Sequence, residues 1–208
     1  MKPKPILFST SMVTALLDGR KTQTRRVIKP QPIGEVSQDR EGNYGEHYGG
    51  GVELLKPRYQ PGDNLWVRET WQKVYDYNDN DQIDYASERY VYAADDIMPF
   101  SHWIDGETGE HKEQMPWRPS IHMPYAAARI FLRVTDVRVE RLQDIMNHPT
   151  GKNHPVVLEG HVYGADFIAE WQNTMNKKDW PLYGWDANPW VYVYEFERCE
   201  KPQVVGGK

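Results

Sequence analysis

The sequence predicts an α+β fold that is mostly β: a small barrel of about five or six strands, with flanking helices and long loop insertions. Three observations carry this. Residues 128–139 alternate, with Ile130, Leu132 and Val134 facing one way and Arg129, Phe131 and Arg133 the other. Near the C-terminal end, Trp190, Tyr192, Tyr194 and Phe196 alternate with Val191, Val193 and Glu195. Only two main segments show helical spacing, one with Met12, Val13, Leu16 and Leu17 and one with Phe167, Ile168 and Trp171.

Taken in order, Ile6-Leu7-Phe8 reads as a short strand, and Ser9, Thr10 or Ser11 caps the first helix. Asp18-Gly19 ends that helix, with Gly19 the natural left-handed cap. Thr22 to Ile28 returns extended, and Pro30 and Pro32 stop it. The glycine-rich, polar stretch 31–60 predicts a long loop. Pro61-Gly62-Asp63 is turn chemistry, and Leu65 and Val67 alternate with Trp66 and Arg68 in a strand. A second polar excursion over 72–89 precedes a strand at 90–93, and a third insertion spans 95–126. The long strand, the helix at 166–175 and the final strand follow. The 208 residues therefore suit one domain, 1–208, with three insertions at about 31–60, 72–89 and 95–126.

The formal net charge of −5 argues against a sequence-blind coating of DNA, so any nucleic-acid contact must use a local basic patch. Eight Trp and thirteen Tyr supply rings for cores and for stacking on bases. One cysteine, Cys199, rules out an intrachain disulfide. No apolar run approaches a membrane span or a signal peptide, so the expectation is a cytoplasmic protein with no membrane partner.

The densest chemistry lies in Gly19-Arg20-Lys21-Thr22-Gln23-Thr24-Arg25-Arg26. Lys21 and Thr24 are close enough to converge on one small ligand, where an ammonium holds an anion or, once deprotonated, activates the hydroxyl. Arg20, Thr22, Arg25 and Arg26 surround them as candidate ligand contacts. Elsewhere, Arg118 and His122 lie in a proline-stiffened loop and are candidates for phosphate and base contacts. Arg68 and Glu69 project to opposite faces of one strand, so one of them is expected at the barrel mouth. The seven histidines form no HxH or HExxH pattern, and neither a nucleophile elbow nor a phosphate-cradling loop is present. Neither metal nor cofactor is expected.

The order helix, Gly-Arg-Lys-Thr-x-Thr-Arg, Pro-Gly-Asp-x-Leu-x-Val, long strand, Leu-Glu-Gly resembles the ASCH family of PUA-like barrels. It covers about residues 5–29, 60–70, 127–172 and 188–198. Thr24 to Pro30 and Pro119 to Pro124 look like the longer bacteriophage and prophage members. The resemblance implies binding to RNA, single-stranded nucleic acid or a nucleoside. One small branch removes the acetyl group from N4-acetylcytidine. Its lysine and threonine fall on Lys21 and Thr24, and its glutamate falls on Glu159 of Leu158-Glu159-Gly160. This chain is longer than that branch by its three insertions.

On that correspondence Thr24 would attack the acyl carbon, Lys21 would take its proton, and Glu159 would protonate the leaving nitrogen or orient water. That role needs the Lys21 pKa lowered by burial and by Arg20, Arg25 and Arg26; an ion pair with Glu159 would instead keep Lys21 charged. Three functions are carried forward: a binder of nucleic acid or a modified nucleobase, a metal-independent amidohydrolase, and a phage interaction scaffold without catalysis.

Overall fold

The computed structural model describes residues 2–80, 82–95, 103–104, 111–112, 117–148 and 153–203. The chain runs β1 (Lys4–Leu7), α1 (Thr10–Leu17), β2 (Gln23–Val27), β3 (Glu35–Gln38), β4 (Tyr44–Tyr48), β5 (Gly51–Leu54), β6 (Asn64–Arg68), β7 (Trp71–Tyr77) and β8 (Ile83–Tyr92). It continues β9 (Trp103–Ile104), β10 (His111–Lys112), β11 (Phe131–Arg141), α2 (Pro155–Leu158), α3 (Gly164–Asn173), α4 (Trp180–Tyr183) and β12 (Trp190–Cys199). The fold is α+β and mostly strand.

The central sheet has five strands in the order β1-β6-β11-β12-β2. β1 and β6 are parallel, with Ile6 opposite Val67, and the remaining pairs are antiparallel. The alternation of β12 explains its central place. Tyr192, Tyr194 and Phe196 join one core with Ile6, Phe8, Val13, Leu16, Leu65, Leu132 and Val134. Val191 and Val193 join another, on the opposite face, with Leu142, Ile145, Val156, Phe167 and Trp171. A strand buried on both faces gains about 1.5–3 kcal/mol from each large apolar side chain.

The expected barrel is corrected: the sheet is open. β1 and β2 are its two edges, and no backbone ladder joins them. Side chains occupy the gap instead. The Arg26 guanidinium donates to the Leu7 carbonyl at 2.8 Å, and the same group lies 5.4 Å from the centre of the Phe8 ring.

The insertion at 31–60 is also more ordered than a loop. β3, β4 and β5 form an antiparallel meander. The Asp39 carboxylate accepts from the Glu41 and Asn43 amides, and Gly42 takes φ +89° in that turn. Gly49 and Gly50, at φ +59° and +83°, make a two-residue hairpin of the kind that needs positive φ at both positions. Val36, Tyr44 and Leu55 pack this unit on the first core. The polar stretch 72–89 lies in the β7–β8 hairpin, with a register shift between Val74 and Asp76. Of the insertion expected at 95–126, residues 96–102, 105–110 and 113–116 lie outside the described residues.

Candidate functional site

The site begins where α1 ends. Ser9 caps the helix by accepting from the Met12 amide, and Gly19 leaves it at φ +73°. The Arg20 and Lys21 amides both donate to the Ala15 carbonyl, at 2.9 and 3.0 Å, which folds the chain back over the helix end. This return turns Lys21 inward, where its side chain has no solvent exposure. α2 arrives from the other half of the chain, started by Pro155 at its N-terminus. Glu159 closes it, and Gly160 turns away at φ +99°.

Lys21 Nζ donates to Glu159 Oε2 and to the Glu159 carbonyl, each at 2.8 Å. Arg25 donates to Glu159 Oε1 and to Glu140 Oε2, both at 3.0 Å. Glu140 also accepts from Arg138, which bonds Glu195 and the Gln23 amide oxygen. A chain of alternating charge thus runs from the buried Lys21 out to Glu195, whose side chain is 41% exposed. Burial pushes the Lys21 pKa down, and Glu159 opposes it by charge and by hydrogen bonding. Both contacts are to oxygen acceptors, an arrangement that suits a charged lysine. Burial likewise lowers Arg26. It would raise Glu140, but Arg138 and Arg25 outweigh it and hold that carboxyl low.

A cleft of about 480 Å³ opens between β2 and α3. Thr24, Arg25, Arg26 and Glu159 line it, facing the aromatic surfaces of Phe8, Phe167, Trp171 and Tyr183. Thr24 Oγ1 accepts from Arg26 Nη1 at 3.1 Å, which leaves the threonine proton free to donate. Lys21 stands behind this wall rather than in it. Phe167 and Trp171 of α3 and its C-cap Thr174 line the cleft together, and Glu170 lies on the same stripe.

The remaining sequence candidates lie elsewhere. Arg20 bonds Asp18 and the Gly160 carbonyl on the surface, and Thr22 is exposed. Arg68 donates to the Ile121 carbonyl, Arg118 pairs by backbone with Trp71, and His122 is exposed. None of these five lines the cleft. The neighbour of Arg68, Glu69, is buried against Arg129 at 2.8 Å and is not at the mouth. The guanidinium of Arg25, a candidate ligand contact, is fully enclosed, because Glu140 of β11 and Glu159 at the end of α2 claim it.

No protein-family model, curated protein or solved structure matches the chain.

Sequence reasoning missed two polar residues of the cleft, His161 and Glu170. Glu170 Oε2 lies 3.1 Å from His161 Nε2. Its Oε1 accepts from Ser11 at 2.7 Å and from Ser9. Burial would raise this carboxyl, but hydrogen bonds from His161, Ser9 and Ser11 outweigh it and hold it at about 2. The signal was available: an acid on the apolar stripe of a helix is out of place unless a partner waits for it. Among the described residues, no group of three or more His, Cys, Asp or Glu side chains is arranged to hold a metal ion. No described helix is long and apolar enough to cross a membrane.

Proposed function

We propose that this protein binds one nucleobase in the cleft between β2 and α3, either as a nucleoside or as part of a single strand such as RNA. The observation that carries the reading is the division of the cleft walls. Rings of Phe8, Phe167, Trp171 and Tyr183 offer stacking surface, while Thr24, Arg26, Glu159 and His161 offer hydrogen bonds. Its volume, about 480 Å³, falls in the range of small-ligand sites. Flat rings with polar edges need such a site. The resemblance to PUA-like ASCH proteins of phage type points the same way. Lys29, exposed beside the Tyr183 ring at 4.4 Å, is suited to a backbone phosphate. Calorimetric titration with ribonucleosides and short oligoribonucleotides tests the reading: saturable binding that is weakened by Thr24→Val supports it, and no heat from any of them rejects it.

A second reading, metal-independent hydrolysis of N4-acetylcytidine-like nucleosides, is favoured by the meeting of Lys21 and Glu159 next to Thr24. The reaction would consume water, break the acetyl C–N bond and release acetate and the free amine. With Lys21 tied to Glu159, the ammonium orients that carboxylate rather than taking the Thr24 proton. Release of cytidine in the presence of a chelator, lost in Thr24→Ala, would establish turnover. Wild-type protein giving no more product than Thr24→Ala leaves binding alone.

A further inference from the structure

His161 sits two residues beyond Glu159 and lines the same cleft. Three contacts fix it. Its amide donates to the Val156 carbonyl at 3.1 Å. Its ring stands edge-on to Phe167, with centroids 5.7 Å apart at 77°. Its Nε2 is engaged by Glu170, which is itself held by Ser9 and Ser11. A carboxylate on one imidazole nitrogen decides which nitrogen carries the proton. With Nε2–H committed to Glu170, Nδ1 is left as an acceptor, and it has no hydrogen-bond partner among the described residues.

We propose that His161 selects nucleobases carrying an exocyclic N–H, its Nδ1 accepting that hydrogen while Glu170, Ser9 and Ser11 act as positioning residues. The proposal rests on the cleft being a nucleobase site. The neighbouring charge agrees with it. Glu159 and Glu170 line the cleft beside Arg26 and Lys29, so its polar side carries acceptors as well as donors. Lys21 directs its hydrogens at Glu159, the two Arg25 Nη groups at Glu159 and Glu140, and Arg26 at Thr24 and the Leu7 carbonyl, while Arg25 Nε has no partner among the described residues. An amino base such as cytosine or adenine presents a donor at the position where uracil or hypoxanthine presents a carbonyl. A carbonyl set against Nδ1 leaves two acceptors facing each other.

The test compares cytidine with uridine, and adenosine with inosine, by calorimetry at pH 8. Wild-type protein is expected to prefer the amino member of each pair by roughly tenfold, the size of one mispaired buried hydrogen bond. His161→Gln keeps a donor for Glu170 but has no atom at the Nδ1 position, so the preference should fall several-fold. His161→Asn places an amide oxygen near that position and should retain part of it. Nitrogen-15 NMR of wild-type protein gives a readout independent of any variant: cytidine should shift the His161 Nδ1 resonance. An unchanged ratio in His161→Gln, a preference for the keto bases, or an unmoved Nδ1 signal in saturated protein would overturn the proposal and leave nucleoside binding intact. Wild-type protein binding none of the four nucleosides overturns the reading of the cleft as well.

Discussion

Lys21 and Glu159, separated by 138 positions in sequence, are joined twice by one ammonium, through the carboxylate and through the main-chain carbonyl of the same residue. The contact locks the end of α2 against the return from α1. It also fixes one wall of the cleft, because Glu159 holds Arg25 with its other oxygen. Removing the carboxylate leaves buried Lys21 without a counter-charge and Arg25 with Glu140 alone. Glu159→Gln should therefore lower stability by about 3–5 kcal/mol. Adding Lys21→Met should restore part of that loss. A double-mutant cycle in denaturant unfolding measures the coupling, and additive losses would contradict it.

Gly160 permits the turn that aims Glu159 inward. Its φ of +99° is strained for any residue with a side chain, and an added Cβ would lie 2.6 Å from the Ala15 Cβ and 3.5 Å from the Lys21 Cβ. Gly160→Ala should cost at least about 1–3 kcal/mol from backbone strain alone. It should also weaken nucleoside binding by displacing Glu159 and His161. Thermal melting and calorimetry together check both effects, and a variant equal to wild type in each would refute the close approach.

Glu170 gives the fold a defined acid sensitivity. Burial opposes its charge, but the hydrogen bonds from His161, Ser9 and Ser11 hold its carboxyl at about 2 in the folded protein. A carboxyl depressed in this way contributes stability that is complete above the ordinary glutamate range and is lost as the pH falls toward its folded value. The contribution is on the order of 3 kcal/mol, lost between about pH 4.5 and 2. Denaturant unfolding across that window should show a shallower decline for Glu170→Gln than for wild type. Parallel curves would mean the carboxyl is not held.

Salt dependence separates the two kinds of cation. Arg25 is enclosed by Glu140 and Glu159, whereas Lys29 is exposed at the cleft. For single-stranded RNA, Lys29→Ala should reduce the slope of log affinity against log salt by about 0.7. Arg25→Met should lower stability and leave the slope unchanged. A slope that responds to Arg25 and ignores Lys29 would place the phosphate path elsewhere.

Much of the frame was legible in the sequence because it depends on local rules. A cap among residues 9–11, the Gly19 exit and the alternation of β11 and β12 each follow from a few neighbouring residues, and the structure selects Ser9 as the cap. Lys21 beside Glu159 was reached only through the resemblance, since no local pattern links positions 138 apart. The glycines of 31–60 point to a loop in the sequence, whereas Gly42, Gly49 and Gly50 form the turns of the β3–β5 meander. The open sheet was hidden for a different reason: whether edge strands meet depends on what fills the gap, here Phe8 and Arg26. Arg25 and Arg26 look alike in sequence, and only the carboxylates of Glu140 and Glu159 distinguish a buried strut from a cleft wall. His161 and Glu170 went unread because their pairing requires the turn between α2 and α3.

The central claim is that the cleft between β2 and α3 receives a single nucleobase. It is tested most directly by mapping amide and side-chain NMR shifts while wild-type protein is titrated with cytidine. The account predicts saturable changes centred on Thr24, Arg26, His161 and Trp171, and none around Tyr44 and Gln60 in the separate groove beside the β3–β5 meander. Saturation without movement at Thr24 and His161, or no saturation with any nucleoside, would contradict it.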